Sequence, residues 1–197
     1  MSDPIADAVA AARRGELIVF PTDTVYGIAT RPDDPAATHR LFEAKRRPLD
    51  LTLPVLVGNA GHAREIARFD DRAERLAQAL WPGGLTLVLG RTPSSQGWDL
   101  GGDPDSIGVR APSHPLASAV LAGGALATTS ANRSGEPPAA TCEELVAVFG
   151  GDVEVYLCQD EPLAGAPSAV VSLLGDRLEI LRAGDLDPAL IERLSAG

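Results

Sequence analysis

Aromatic residues are scarce in this 197-residue chain: four Phe, two Tyr and two Trp. A core built with so few must rest on Leu, Val, Ile and Ala, and the 45% hydrophobic content suits a single globular domain. No apolar run approaches the roughly 18 residues that cross a bilayer. The opening M-S-D-P-I-A-D lacks the basic-then-apolar order of a secretory leader. Cysteine is nearly absent. Cys142 and Cys158 form no C-x-x-C, and with the scattered His39, His62 and His114 they make no metal-ligand spacing. Such sparing use fits a reducing cytoplasm best. Positive charge is in deficit, and the net charge of −10 argues against a surface built for general nucleic-acid binding. It leaves room for a local basic pocket. The familiar nucleotide and hydrolase templates are missing as well. There is no G-x-x-x-x-G-K-[ST], no G-x-G-x-x-G after a strand and no G-x-S-x-G. A Ser–His–Asp grouping around His114 is selected by no spacing. Asp103 and Asp105 read as loop carboxylates facing water rather than as Mg²⁺ ligands.

What the chain does have is a polar interruption in an apolar stretch, L-I-V-F-P-T-D-T-V-Y-G-I-A-T from Leu17 to Thr30. Pro21 ends the first strand because it donates no ladder hydrogen bond. Hydroxyls and a carboxylate follow at Thr22, Asp23 and Thr24, and Gly27 permits a tight turn or a close approach. By itself this pattern is equally a hairpin turn.

Around it, helical and strand periods alternate. Helices are predicted from Asp3 to Arg14, from Asp34-Pro35 to about Arg46, and from Ala63 to Leu80 in two pieces broken near Phe69. Others start at His114-Pro115, at the Thr141/Glu144 capping box and at Asp187-Pro188. Strands are predicted at Leu17–Phe20, Leu53–Val57, Leu85–Leu89, Ile107–Val109, Ala125–Thr129, Val153–Leu157, Ala169–Leu174 and Leu178–Leu181. Gly175-Asp176 turns the last two into a hairpin. The reading is an α/β fold. It is one domain over 1–197, core about 5–186, with a twisted mixed parallel/antiparallel sheet and flanking helices.

Polar groups collect at the strand ends. Lys45-Arg46-Arg47-Pro48 closes a helix and reads either as a solvated helix end or as a phosphate clamp. Ser130-Ala131-Asn132, Arg110, Arg182 and Ser168 each end or open a strand. Each has an ordinary reading as a cap or a solvated cation. If they converge, they form a site for a multiply charged anion such as a nucleoside triphosphate.

Taken in order, several segments resemble the threonylcarbamoyl-AMP synthase family, the YrdC-like proteins. They are P-T-D-T-V-Y-G at Pro21–Gly27, K-R-R-P at Lys45–Pro48, W-P-G-G-L-T-L-V-L at Trp81–Leu89 and I-G-V-R-A-P at Ile107–Pro112. S-A-N-R-S-G at Ser130–Gly135, P-S-A-V-V at Pro167–Val171 and I-L-R-A-G at Ile180–Gly184 complete the set. The resemblance implies a cytoplasmic nucleotidyltransferase that makes L-threonylcarbamoyl-adenylate and pyrophosphate from L-threonine, bicarbonate and ATP. Mg²⁺ would arrive with ATP, and no protein metal site is implied. Transferase partner proteins would carry the group to tRNA, with RNA contact by this chain weak. Carried over by motif, Lys45 and Arg47 would be catalytic and hold phosphates. Ser106, Ser130, Asn132, Pro138 and Arg182 would complete the ATP site. Thr24, Arg110, Thr128 and Ser168 would line the threonine pocket, with Arg110 suited to the carboxylate. Some positions depart from the family pattern. Leu56 stands where a histidine is frequent, Ala169 and Ser172 replace a Thr and an Asp, Gly84 follows W-P-G, and Thr52-Leu53 replaces P-L. These bear on amino-acid selectivity and keep two alternatives open: a paralogue adenylating another carbamate, and an RNA-binding or ribosome-maturation factor. The chain ends soon after the I-L-R strand, as in short members of the family.

Overall fold

The computed structural model describes residues 3–163 and 165–197; Met1 and Ser2, at the start of the stretch read for a leader, lie outside them. Helix starts follow the capping residues. Asp3 accepts from the Ile5 N–H to open α1 (Pro4–Arg13), and Asp34 caps α2 (Pro35–Lys45). In each case proline follows at the first helical position, where a missing N–H costs nothing. Next come α3 (Ala60–Ile66), α4 (Asp71–Leu80) and α5 (Pro115–Leu121), then α6 (Cys142–Phe149) behind its Thr141/Glu144 capping box and α7 (Pro188–Ala196).

The strands are β1 (Ile18–Phe20), β2 (Gly27–Thr30), β3 (Val55–Leu56), β4 (Leu85–Gly90), β5 (Ser106–Arg110), β6 (Leu126–Ser130), β7 (Val155–Tyr156), β8 (Ala169–Ser172) and β9 (Glu179–Arg182). They form one sheet in the order β7-β1-β2-β6-β3-β5-β4-β8-β9. β7/β1, β3/β5 and β4/β8 pair in parallel, and the other neighbours are antiparallel, so the sheet is mixed as expected.

The central strands assign their two faces by alternation. On β4, Leu85, Leu87 and Leu89 are buried in the core, as are Ile107 and Val109 on β5. Each such side chain contributes roughly 1.5–3 kcal/mol by leaving water. The intervening Thr86, Val88, Ser106, Gly108 and Arg110 face the other way. This second face carries the candidate site.

Elements differ from expectation mostly by a few residues at their ends, and three differences bear on the architecture. β3 is shorter than Leu53–Val57 because Pro54 has no N–H; Leu53 donates instead to Leu100, outside the ladder. Ile191 of α7 is fully buried in the main cluster, so the core runs beyond residue 186. Cys142 and Cys158 form a disulfide, Cα atoms 5.7 Å apart, where the sequence pointed to a reducing compartment. Two cysteines separated by 16 positions carry no pairing signal, and helix α6 and the segment after β7 bring them together.

Candidate active site

A cavity of about 530 Å³ opens on the second face of the sheet. Thr24, Arg47, Ser106, Arg110, Thr128, Ser130, Ser168 and Arg182, all expected at the site, line it. Sheet register explains the gathering. Arg182 of β9 pairs with Val170 of β8, Val170 with Thr86 of β4, and Arg110 of β5 with Leu56 of β3. Gly27 lies opposite Ser130, which brings the Pro21–Gly27 motif against the Ser130-Ala131-Asn132 turn.

The K-x-R pair diverges at the end of α2. Arg46 takes a left-handed conformation at φ 52°, uncommon outside glycine, and ends the helix. Lys45 therefore stays inside and is 1% exposed. Its ammonium donates to the Ser130 carbonyl, to the Asn132 carbonyl at 2.7 Å and to Asn132 Oδ1 at 3.4 Å. Burial, with the Arg47 and Arg133 charges nearby, pulls it from 10.5 down to about 7. Ser130 Oγ donates to Asn132 Oδ1, and the Asn132 amide donates to the carbonyls of Arg133 and Glu136. Lys45 and Asn132 thus hold the turn from behind, and neither lines the cavity; nor does the exposed Pro138.

Arg47 turns the other way. Its guanidinium donates to the Leu51 and Thr52 carbonyls, and Arg182 donates to the Ser168 carbonyl and hydroxyl. Neither has a carboxylate ion-pair partner among the described residues. Burial lowers the pKa of both, and the charge of Arg182 lowers that of Arg47 further. Two guanidiniums that repel across a cavity mark where an anion is favoured.

Arg110 is arranged differently. It donates to the Gly83 carbonyl at 2.9 Å, to Thr24 Oγ1 at 2.9 Å and to Asp23 Oδ1 at 2.6 Å. Its charge is already met by Asp23, which also accepts from the Ser113 N–H. The guanidinium that the resemblance suits to a carboxylate thus already has partners within the protein. Thr128 lines the cavity, but its hydroxyl donates back to the Leu126 carbonyl, and its methyl faces Gly27. A side chain on Gly27 would meet that methyl at 2.8 Å.

Two residues escaped the sequence reading. Thr86 lies in the cavity wall, 5% exposed, 2.9 Å from the Ser168 hydroxyl. Its signal was the alternation along Leu85–Leu89, which puts position 86 on the same face as position 88. Arg91 is 2% exposed and donates to the Ser106, Ser95 and Trp98 carbonyls, pinning the 92–105 loop beside the site. Its signal was an arginine at the end of an otherwise apolar strand. A second hollow of about 470 Å³ lies between α1 and α5. There Arg13 is bound to Gly123 and Arg31 to Asp33, so no comparable set of free polar groups converges.

A mixed α/β sheet whose strand ends deliver arginines and hydroxyls to one cavity defines a class of α/β proteins with a cationic, hydroxyl-lined hollow on one sheet face. The Sua5_yciO_yrdC family model, described as "Telomere recombination", matches residues 10–184, and the chain belongs to that family. Among relatives, the threonylcarbamoyl-AMP synthase of Chromohalobacter salexigens is 39% identical over 178 residues, 87% of this chain and 94% of its own. That of Pyrococcus abyssi is 35% identical over 92% of this chain and 54% of its own length, so this chain spans about half of that protein. The crystal structure of P. abyssi Sua5 complexed with L-threonine superimposes with a TM-score of 0.87 at 31% identity, covering 98% of this chain and 58% of that one.

Proposed function

We propose that this protein is an L-threonylcarbamoyladenylate synthase, a nucleotidyltransferase that joins L-threonine, bicarbonate and ATP and releases pyrophosphate. The observation that carries the reading is the Arg47/Arg182 pair, neither arginine in an ion pair among the described residues, over a hydroxyl-lined floor in one cavity. Family membership and the named relatives support it.

The residue chemistry fits the reaction. The threonine amine forms an N–C bond with bicarbonate-derived CO₂, giving a carbamate. A carbamate oxygen then attacks the α-phosphorus and the bond to pyrophosphate breaks. No protein nucleophile is needed. Negative charge grows on the phosphates, and Arg47 and Arg182 are placed to offset it. Ser130 borders the same end, while the exposed Leu174 and Leu181 give the cavity rim an apolar edge suited to a base. Lys45 and Asn132 act by fixing the turn that presents Ser130. Thr22, Thr24, Leu56 and Ser168 enclose the amino-acid end.

Among the described residues no group of three or more His, Cys, Asp or Glu converges, and Asp103 is the carboxylate in the cavity wall. That donor set suits Mg²⁺ arriving on ATP and held by phosphates and water. No described helix is long and apolar enough to cross a membrane. On family membership, and against the sign of its disulfide, we place the enzyme in the cytoplasm, passing its product to transferase partner proteins that act on tRNA. Its net charge of −10 makes its own RNA contact weak and salt-dependent.

Purified protein should release pyrophosphate only when L-threonine, bicarbonate, Mg²⁺ and ATP are all present. Equal turnover with carbamoyl phosphate and no threonine would favour a different carbamoyl donor and overturn this reading.

A further inference from the structure

We propose that Cys142 and Cys158 are a redox modification site: a reversible disulfide that fastens two walls of the cavity together and releases them when it is reduced. Its effect on turnover rests on the functional reading above; the structural response does not.

The bond closes one loop of the chain at its stems. Sixteen positions separate the cysteines, and α6, a short 3-10 turn at Gly150–Asp152 and β7 fill the interval. The stem before Cys142 runs back to the turn at Ser130. The stem after Cys158 runs on to Pro167 and Ser168. Ser130, Pro167 and Ser168 all line the cavity. The two Cα atoms are 5.7 Å apart, within the ordinary span of a disulfide.

Little else holds the second stem. Gln159 donates its N–H to the Tyr26 hydroxyl at 3.2 Å, and its side chain meets His114. Among the described residues 160–168, the one bond between backbone groups runs from the Leu163 N–H to the Ala140 carbonyl of the first stem. Gly165 lies against the Thr24 carbonyl, and ladder bonding resumes only at Ala169. A segment with so few backbone bonds opens readily once a tie is cut. The loop itself is anchored differently. Leu145, Phe149 and Val153 are buried in one core cluster and Leu157 in the other. Cutting the disulfide therefore loosens the stems and leaves α6 and β7 seated.

Both cysteines are half-buried and lie outside the core clusters, within reach of a soluble thiol. A dithiol reductant attacks one sulfur as its thiolate; the S–S bond breaks and the other cysteine leaves as a thiolate. The reductant's second thiolate then attacks the mixed disulfide and frees the first cysteine. Two electrons pass to the protein, each cysteine takes up a proton, and the reductant ends as its own disulfide. In a reducing compartment a disulfide is ordinarily transient or redox-sensing, which suits this pair to reporting oxidation. Oxidised, the two walls are ordered before substrate arrives. Reduced, binding has to order them, and affinity falls.

Hydrogen exchange and steady-state pyrophosphate release, each measured on the whole protein with and without dithiothreitol, test this. Reduction should speed exchange in the stem after Cys158 while β4 and β5 stay protected. It should raise KM for the substrates roughly three- to tenfold and leave kcat within about twofold. Reoxidation with glutathione disulfide should restore both. The Cys142→Ser/Cys158→Ser double variant should resemble the reduced protein and ignore dithiothreitol. Unchanged exchange and KM on reduction, a response to dithiothreitol in the double variant, or lost protection in β4 and β5 would each overturn the inference. A stem that responds in a protein releasing no pyrophosphate would uphold the fastener and sink the functional reading instead.

Discussion

The Lys45 ammonium lies 2.7 Å from the carbonyl oxygen of Asn132, 87 residues further along the chain, and not in the cavity. This cation, which the family resemblance assigns to phosphate, joins helix α2 to the turn after β6. Arg47, two residues on, is the member of the motif that reaches the site. The division follows from one backbone angle, the left-handed Arg46.

The clamp has a pH signature. Lys45 has a folded value near 7 against an ordinary 10.5, so between those values the unfolded chain binds more protons than the native one. Stability from this group therefore rises with pH across that window, and the burial penalty is fully present below pH 7. Urea unfolding from pH 7 to 10 should give a more positive slope of unfolding free energy for wild type than for Lys45→Met. Parallel slopes would show that the ammonium is not depressed.

Asp23 and Arg110 form an ion pair whose side chains are 18% and 7% exposed. Asp23→Asn leaves the guanidinium largely buried with its charge unmet, which should cost about 2–3 kcal/mol. Chemical denaturation measures this. A change under about 0.5 kcal/mol would mean that water screens the pair. Because Asp23 already meets the Arg110 charge, Arg110→Met should lower stability and threonine affinity together. Arg47→Ala should leave threonine affinity near wild type and lower kcat by about 10²–10³.

The architecture was legible because local signals agreed with one another. Asp3, Asp34, Thr141 and Asp187 each announced a helix start, and Gly175-Asp176 announced the last hairpin. The site was legible as a set of motifs but not as a set of roles. Lys45, Asn132 and Pro138 lie beside cavity residues in sequence, yet which side of the turn each occupies depends on contacts across the sheet. Thr128 carries the expected hydroxyl, but a two-residue backbone bond turns it away. The disulfide was illegible for a similar reason: the partners meet only through tertiary packing.

Gly165 sits so close to the Thr24 carbonyl that any side chain there would overlap it. The same segment is tied further back by Gln159 to the Tyr26 hydroxyl and by Cys158 to α6. Gly165 therefore crowds the Thr24 side of the cavity, and the exposed Leu174 and Leu181 flank its mouth. A nucleotide seated at that mouth would cork the chamber behind it. Traffic through the enzyme then acquires an order: the amino acid goes in first and the adenylate comes out last. Saturating ATP should slow turnover at low threonine and excess threonine should relieve it; initial-rate kinetics without such inhibition would point to a second entrance.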